Sequence, residues 1–405
     1  MSTEPPLPTS NAARKAQRAA RRRNHRRRRI TLLVAVVLAV LFVPPSISYA
    51  VYMSRPSSVP WNIRSVEWVR DNHGAWLVNF AERTYYSLTA PKKGGPGLTA
   101  LPSVAVDPGG ATPYPARTMT PAYTPPPVTP AISPALVNEG VWKPAGRAVH
   151  GEHPVLVTVF RNERDYPRIV TYAAWIDHAL TQLALYPGRT EPPQGSPRGP
   201  MMVPDGQRSR LLAVFNSAFK YKDGHGGFSV NGHVYTPLKA GAGTLVGYND
   251  GRLDIVKWPG GAPAANVVCA RQNLPMIVDN GTPNPGLNNN GAQWGWTLGN
   301  GVRVWRSGVG VDGRGNLIYV AAPAQTVMSL AAALIRAGAV RALEFDINVY
   351  WPTFNYYRRP GAQSPVKFLP NPQNPGLTRY LTPDDRDFFA VYTRTKYGDF
   401  TTPFR

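Results

Sequence analysis

The chain has a single cysteine, Cys269, among 405 residues, so no internal disulfide can form and no zinc or iron–sulfur centre can be built from thiolates. Histidine is scarce as well, with 7 in all. His150 and His153 lie three apart in a proline-flanked segment and lack a further clustered ligand, so neither a metal site nor a cofactor is expected. Acidic residues are few: 23 Asp and Glu face 45 Lys and Arg, for a formal charge of +22. That balance favours phosphate-bearing or otherwise anionic partners, such as envelope polymers and lipid headgroups. Nucleic acid is not expected among them, because the sequence holds no RNA-binding signature, zinc-finger spacing or helix-turn-helix pattern. Cys269 itself sits in Asn266-Val-Val-Cys-Ala-Arg271, an alternating run that reads as a strand with a small buried residue.

Proline and glycine are abundant, at 43 and 37, which implies much irregular chain around one globular domain. The basic charge concentrates at the start, where residues 1–29 hold ten Lys and Arg against Glu4 alone and read as a basic cytoplasmic tail. No formal charge follows from Ile30 to Met53. This is a membrane segment whose strongest part, Ile30 to Val43, stops at Pro44-Pro45. That is short for a span of roughly 20 residues and close to a signal-peptide core. Cleavage after Ser48-Tyr49-Ala50 and retention as a signal-anchor over 30–53 both fit, and the apolar continuation through Ile47, Val51, Tyr52 and Met53 favours the anchor. Arginine clusters stay cytoplasmic, so the expected localisation is a single-pass cell-membrane protein with its C-terminal domain extracytoplasmic.

A juxtamembrane segment, 54–90, carries Trp61, Trp68, Trp76, Tyr85 and Tyr86 and reads as amphipathic helices broken near Asn72-His73-Gly74. The stretch 91–134 is proline-rich and is expected to be an extended linker that holds the body away from the membrane. The domain proper is assigned to 135–405. Strands are expected over Val155–Phe160 and Arg168–Trp175, then a helical turn between Trp175 and Leu185. Short strands follow at Leu211–Phe215, Gly227–Val230, His233–Thr236, Gly243–Tyr248 and Leu253–Trp258, with Asn231-Gly232 and Asp250-Gly251 marking tight hairpins. Val302–Val311 and Leu317–Ala322 form another hairpin around Asp312-Gly313, and Phe388–Arg394 is a last strand. Thr326–Ala337 is apolar nearly all round and predicts a buried helix ended by Gly338. The predicted fold is α+β, mostly β with a mixed sheet, several hairpins and at least one β-α-β crossover.

That crossover ends on Glu344-Phe-Asp346-Ile-Asn348. It delivers Asp346 to the end of a buried strand, where ligands gather in α/β architectures. Two positions apart on a strand, Glu344 and Asp346 are expected to share a face as a carboxylate pair.

In chain order, Leu211-Leu-Ala-Val-Phe-Asn216-Ser-Ala-Phe219, the Asn231-Gly232 hairpin, Arg306-Ser-Gly-Val-Gly310, Ser329-Leu-Ala and Ala342-Leu-Glu-Phe-Asp346 resemble the phosphodiester glycosidase family, over about residues 155 to 395. The resemblance implies hydrolysis of the bond between a sugar's anomeric carbon and a phosphodiester. Many relatives follow the matching aspartate with glycines and a serine, whereas this chain reads Ile347-Asn-Val-Tyr-Trp351; likewise Ser217-Ala218 replaces a glycine-containing pair after Asn216. By the resemblance, Asp346 acts as base or nucleophile at an oxocarbenium-like centre, with Asn216 on a sugar hydroxyl. Arg306 holds phosphate oxygens. From the residues themselves, Glu344 is the second carboxylate by its strand spacing, and His225, in a loop shortly after Asn216, and Asn348 are further substrate-binding candidates. Structural roles compete: a strand-end cap for Asp346, a salt bridge for Arg306, a loop cap for Asn216, pairing or solvation for Glu344, and a solvated loop for His225. Asn288-Asn289-Asn290 with Trp294 and Trp296 reads as a sugar-stacking rim or a packed aromatic pair.

The leading expectation is a membrane-tethered extracytoplasmic hydrolase acting on a sugar-phosphate or polysaccharide of the cell envelope or an exopolysaccharide. The alternative is a non-catalytic sugar-phosphate-binding or scaffolding protein on the same fold.

Overall fold

The computed structural model describes residues 11–104, 123–193, 195, 197–290, 293–295, 302–373 and 376–394. Met1–Arg55 and Pro56–Arg405 are two separate compact units. The first consists of helix α1 (Asn11–Ser54), whose stretch Arg14–Ser54 is long and apolar enough to cross a membrane. The expected stop at Pro44-Pro45 does not occur, since both prolines lie inside the helix. Proline removes a backbone donor and crowds the preceding turn, a cost that apolar membrane helices tolerate better than soluble ones.

The second unit begins with a helical hairpin, α2 (Trp61–Val69) and α3 (Ala75–Leu88). The chain breaks where the sequence indicates, with His73 at φ 68°. A Cβ on Gly74 would lie 2.4 Å from Val69 Cγ1, so the turn needs glycine there. The described flanks of the proline-rich stretch lie against the body instead of forming a free spacer: Leu98, Leu101 and Val104 pack on the main core, and Val128 and Ala131 are buried. The middle of that stretch lies outside the described residues.

Three sheets make up the body. The largest has the order β1 (Lys143–Pro144), β2 (Val155–Arg161), β3 (Val170–Ile176), β14 (Leu317–Gln325), β13 (Val304–Val311), β15 (Arg341–Ile347), β11 (Val278–Asp279), β12 (Thr282–Pro283). A second runs β7 (His233–Thr236), β6 (Phe228–Val230), β10 (Val267–Gln272), β8 (Gly243–Tyr248), β9 (Leu253–Lys257). The third runs β17 (Gln363–Lys367), β16 (Phe354–Arg359), β5 (Leu211–Asn216), β18 (Phe388–Thr393), β4 (Thr181–Tyr186). A one-turn helix, α4 (Tyr221–Gly224), follows β5, and α5 (Val327–Arg336) links β14 to β15.

The largest sheet is buried on both faces, which explains its near-continuous apolar strands. Leu317, Tyr319 and Ala321 of β14 join the core shared with the other two sheets, while Ile318 and Val320 face α5. Val155, Val157 and Val159 of β2 divide from Leu156 and Phe160 in the same way. Helix α5 starts on a capping box in which the Thr326 side chain accepts from Ser329 N and the Ser329 side chain accepts from Thr326 N.

Two expectations need correction. The sheet is not mixed: β14 and β15 run parallel, as a β-α-β unit requires, but β13 lies between them and pairs antiparallel with both. No helix forms between Trp175 and Leu185. Asp177 Oδ1 accepts from Ala179 N at 2.7 Å and turns the chain, which then runs as β4 against β18. Cys269 lies in β10, and burial pushes its thiol up to about 12, so it stays protonated and serves packing.

Candidate active site

The last residues of β15 do not continue the regular ladder. Arg306 pairs with Ile347 and Gly308 with Glu344, so Phe345 and Asp346 together face the single residue Ser307. This is a β-bulge, which re-aims side chains at a strand end. It also breaks the two-residue alternation, so Glu344 and Asp346 do not form the expected shared-face pair. Each takes its own arginine: Arg306 Nη1 donates to Glu344 Oε1 at 2.6 Å, and Arg386 Nη2 donates to Asp346 Oδ2 at 2.5 Å.

Asp346 lies at the wall of a cavity of about 400 Å³ that is also lined by Phe219, Lys220, Lys222, Asn348, Trp351 and Arg386. Its side chain is held on both oxygens, since Ile347 N donates to Oδ1 at 3.0 Å. Burial pushes the carboxyl up to about 7, against the pull of Arg386. Arg386 is anchored in turn by donation to Ala218 O at 3.0 Å and stacks over the Trp351 ring at 4.7 Å. Arg386 comes from the turn before β18, Lys220 from the loop after β5, Lys222 from α4, and Trp351 from the loop after β15. The sheet ends of β5, β15 and β18 therefore converge here.

The helical hairpin closes one side. Arg70, Ala75 and Asn79 line the same cavity. Glu67 of α2 pairs with Lys220, and Lys222 Nζ meets Asp71 Oδ1 at 2.6 Å. Lys220 and Arg70 outweigh burial and hold the Glu67 carboxyl below its usual range.

Of the sequence-derived site residues, Asp346 and Asn348 line this cavity. Asn348 adopts φ 95°, a left-handed conformation that asparagine tolerates better than β-branched Ile347 or Val349. The loop after Asp346 thus keeps a positive-φ residue without glycine.

Arg306, expected at the phosphate, is 2% exposed and committed to Glu344, to Gln325 O at 3.0 Å and to Trp294 O at 3.3 Å. It is not among the residues lining the cavity. Glu344 is fully buried beneath the site, and burial pushes its carboxyl up to about 7. Asn216 is a structural node: its Oδ1 accepts from Tyr319 Oη at 2.8 Å and Thr353 N at 3.0 Å, and its Nδ2 donates to Ser307 Oγ at 3.0 Å. It fastens β5 to β13, β14 and the loop after β15, and Ser307 Oγ then donates to Asp346 O at 2.7 Å. His225 is exposed at the end of α4, edge-on to Tyr221, and does not line the cavity. Trp294 is buried against α5, away from any rim, and Trp296 lies outside the described residues.

Sequence reasoning missed Arg386, Lys220, Lys222 and Trp351. The cluster Asp384-Asp-Arg-Asp387 just before an apolar strand was a readable signal for Arg386, because three acids around one arginine point to a buried network.

Residues 194–346 match the family model described as phosphodiester glycosidase. The match ends at Asp346 itself and leaves out Arg386. Among solved structures, the chain is similar to the catalytic domain of zebrafish N-acetylglucosamine-1-phosphodiester alpha-N-acetylglucosaminidase, at 13% identity over 62% of this chain and 87% of that one, with a TM-score of 0.40. It is also similar to a hypothetical protein from Synechocystis, at 11% identity over 60% and 63% of the two chains, with a TM-score of 0.35. No curated protein matches the chain in sequence.

Proposed function

We propose that the protein is a membrane-tethered hydrolase that cleaves glycosyl phosphodiesters of the cell envelope or an exopolysaccharide on the extracytoplasmic side. The observation that carries this reading is Asp346, a carboxyl raised to about 7 at a cavity wall ringed by Arg386, Lys220 and Lys222. Breaking the anomeric C–O bond develops positive charge on the sugar and releases a phosphomonoester, already a good leaving group. Lys220 and Lys222 turn from Glu67 and Asp71 to that phosphate, the role first assigned to Arg306. Asp346 faces the anomeric carbon and takes the proton of the attacking water, whose hydroxyl ends on the sugar. Arg386 orients the carboxylate and stabilises its charged form. Trp351 supplies an apolar ring face for the sugar.

The binding-protein alternative is favoured by two observations: Asp346 is already ion-paired, and Glu344 does not line the cavity with it. Hydrolysis of a synthetic glycosyl phosphodiester in ¹⁸O-labelled water separates the readings. The hydrolase reading expects label in the sugar hydroxyl. Label in phosphate would mean P–O cleavage and a different enzyme class, and binding without turnover would favour the alternative.

A further inference from the structure

Beside the ionic cavity lies a second one of about 410 Å³, lined by Val66, Val69, Leu77, Val78 and Tyr86 of the hairpin and by Val349 and Tyr350 of the loop after β15. The two cavities share their walls: Asn348 and Trp351 face one, while Val349 and Tyr350, between them in sequence, face the other. Arg70 stands at the partition and bridges Glu67 at 2.6 Å and Glu82 at 3.0 Å. Apart from Glu82, Ser65 and Gln373, the second cavity is walled by apolar or aromatic side chains, in the size range of small-molecule sites.

We propose that this cavity takes the hydrocarbon chain of a lipid-linked glycosyl phosphodiester, with the phosphate beside Arg70 and Lys220 and the sugar at Asp346. The sugar end rests on the hydrolase reading; the chain end does not. Three observations favour a lipid over a peptide or a second copy of the protein. The hairpin begins seven residues after the end of an apolar helix long enough to cross a membrane. Its outer side presents Trp61, Trp76, Phe80 and Leu88 at 71%, 73%, 67% and 81% exposure, the aromatic and apolar set that settles at a bilayer interface. The apolar cavity adjoins, across Arg70, the cavity that holds Lys220, Lys222 and Arg386, so one amphipathic molecule matches both. Glu82 fits as well. Burial pushes its carboxyl up to about 7, and its Oε2 accepts no hydrogen bond among the described residues, which leaves it a protonatable group for a phosphate or hydroxyl oxygen.

The test uses the full chain in phosphatidylcholine vesicles with a trace of hexadecyl phosphate that carries a diazirine in its chain. After irradiation, adducts are expected at Val66, Val69, Val78 and Val349, competed by unlabelled hexadecyl phosphate and not by hexadecanol. Ala81 also lines this cavity, and Ala81→Trp, which places a bulky ring across it, should reduce these adducts at least tenfold while those on Trp76 and Phe80 persist. Ala81→Met, a smaller change, should give an intermediate loss, with thermal unfolding confirming that both variants fold. Adducts confined to the outer face, or unchanged in Ala81→Trp, would overturn the proposal. Labelling should survive in Asp346→Asn. A labelled cavity without turnover of any glycosyl phosphodiester would remove the hydrolase reading alone. Turnover of a methyl glycosyl phosphodiester with an unlabelled cavity would remove the lipid proposal alone.

Discussion

Asp346 and Asn348 show how a strand end becomes a site. A carboxyl ordinarily near 3.8 is held at about 7 by burial, so the folded form binds its proton more tightly than the unfolded chain does. The stability this contributes is fully present below about pH 4 and is lost as pH rises through about 7. Glu344 acts in the same direction. Denaturant titration followed by tryptophan fluorescence should therefore show stability falling across this window, at up to about 1.4 kcal/mol per pH unit for each group. Asp346→Asn should flatten the slope; an unchanged slope in both Asp346→Asn and Glu344→Gln would contradict their assignment as buried, proton-binding carboxyls. Asn348 offers a backbone test. At φ 95° a β-branched side chain is strained, so Asn348→Val should cost about 1–2 kcal/mol while Asn348→Gly should cost little, both read by the same unfolding experiment.

At the scale of elements, the hairpin α2–α3 is fastened to the body by Glu67–Lys220 and Asp71–Lys222. The first pair is buried, so Lys220→Met leaves Glu67 with Arg70 as its remaining partner and should destabilise the docked hairpin by roughly 1–2 kcal/mol. Hydrogen exchange over 61–88 should rise in that variant, and unchanged protection would show that apolar packing alone holds the hairpin. Much of this level was legible in the sequence. The hairpin break at Asn72–Gly74, the capped helix after Thr326 and the strands around Asn231-Gly232 and Asp250-Gly251 follow from local turn chemistry and periodicity. What was not legible depends on distant pairing. β4 forms because β18 offers it an edge, β17 contains Pro365, and the bulge that separates Glu344 from Asp346 exists only against Ser307 of β13. The site was half legible for the same reason. Asp346 ends a recognisable strand, whereas Arg386 reaches it from forty residues away in sequence.

The sequence joins a basic tail and an apolar helix to a domain whose candidate cavity sets Arg70, Lys220, Lys222 and Arg386 against Asp223 and Asp346. The arginine cluster should keep the N-terminus in the cytoplasm and place the body outside. Native Cys269 is 2% exposed and should be silent to thiol reagents, so single cysteines can report topology. In intact cells a membrane-impermeant maleimide should label Ser87→Cys and should label Ser2→Cys only after lysis; the reverse pattern would place the domain on the cytoplasmic side. The charge has a consequence for turnover too. Neutralising phosphate with lysines near a surface should make the KM for an anionic substrate rise with salt.

The central claim is that Asp346 performs chemistry in this cavity. The most direct measurement follows a glycosyl phosphodiester by ³¹P NMR with the purified full chain and with Asp346→Asn, after matching circular dichroism spectra establish that both are folded. The account predicts conversion of diester to phosphomonoester by the wild type and a loss of about 10²–10⁴-fold in the variant. Equal rates in the two proteins would contradict it.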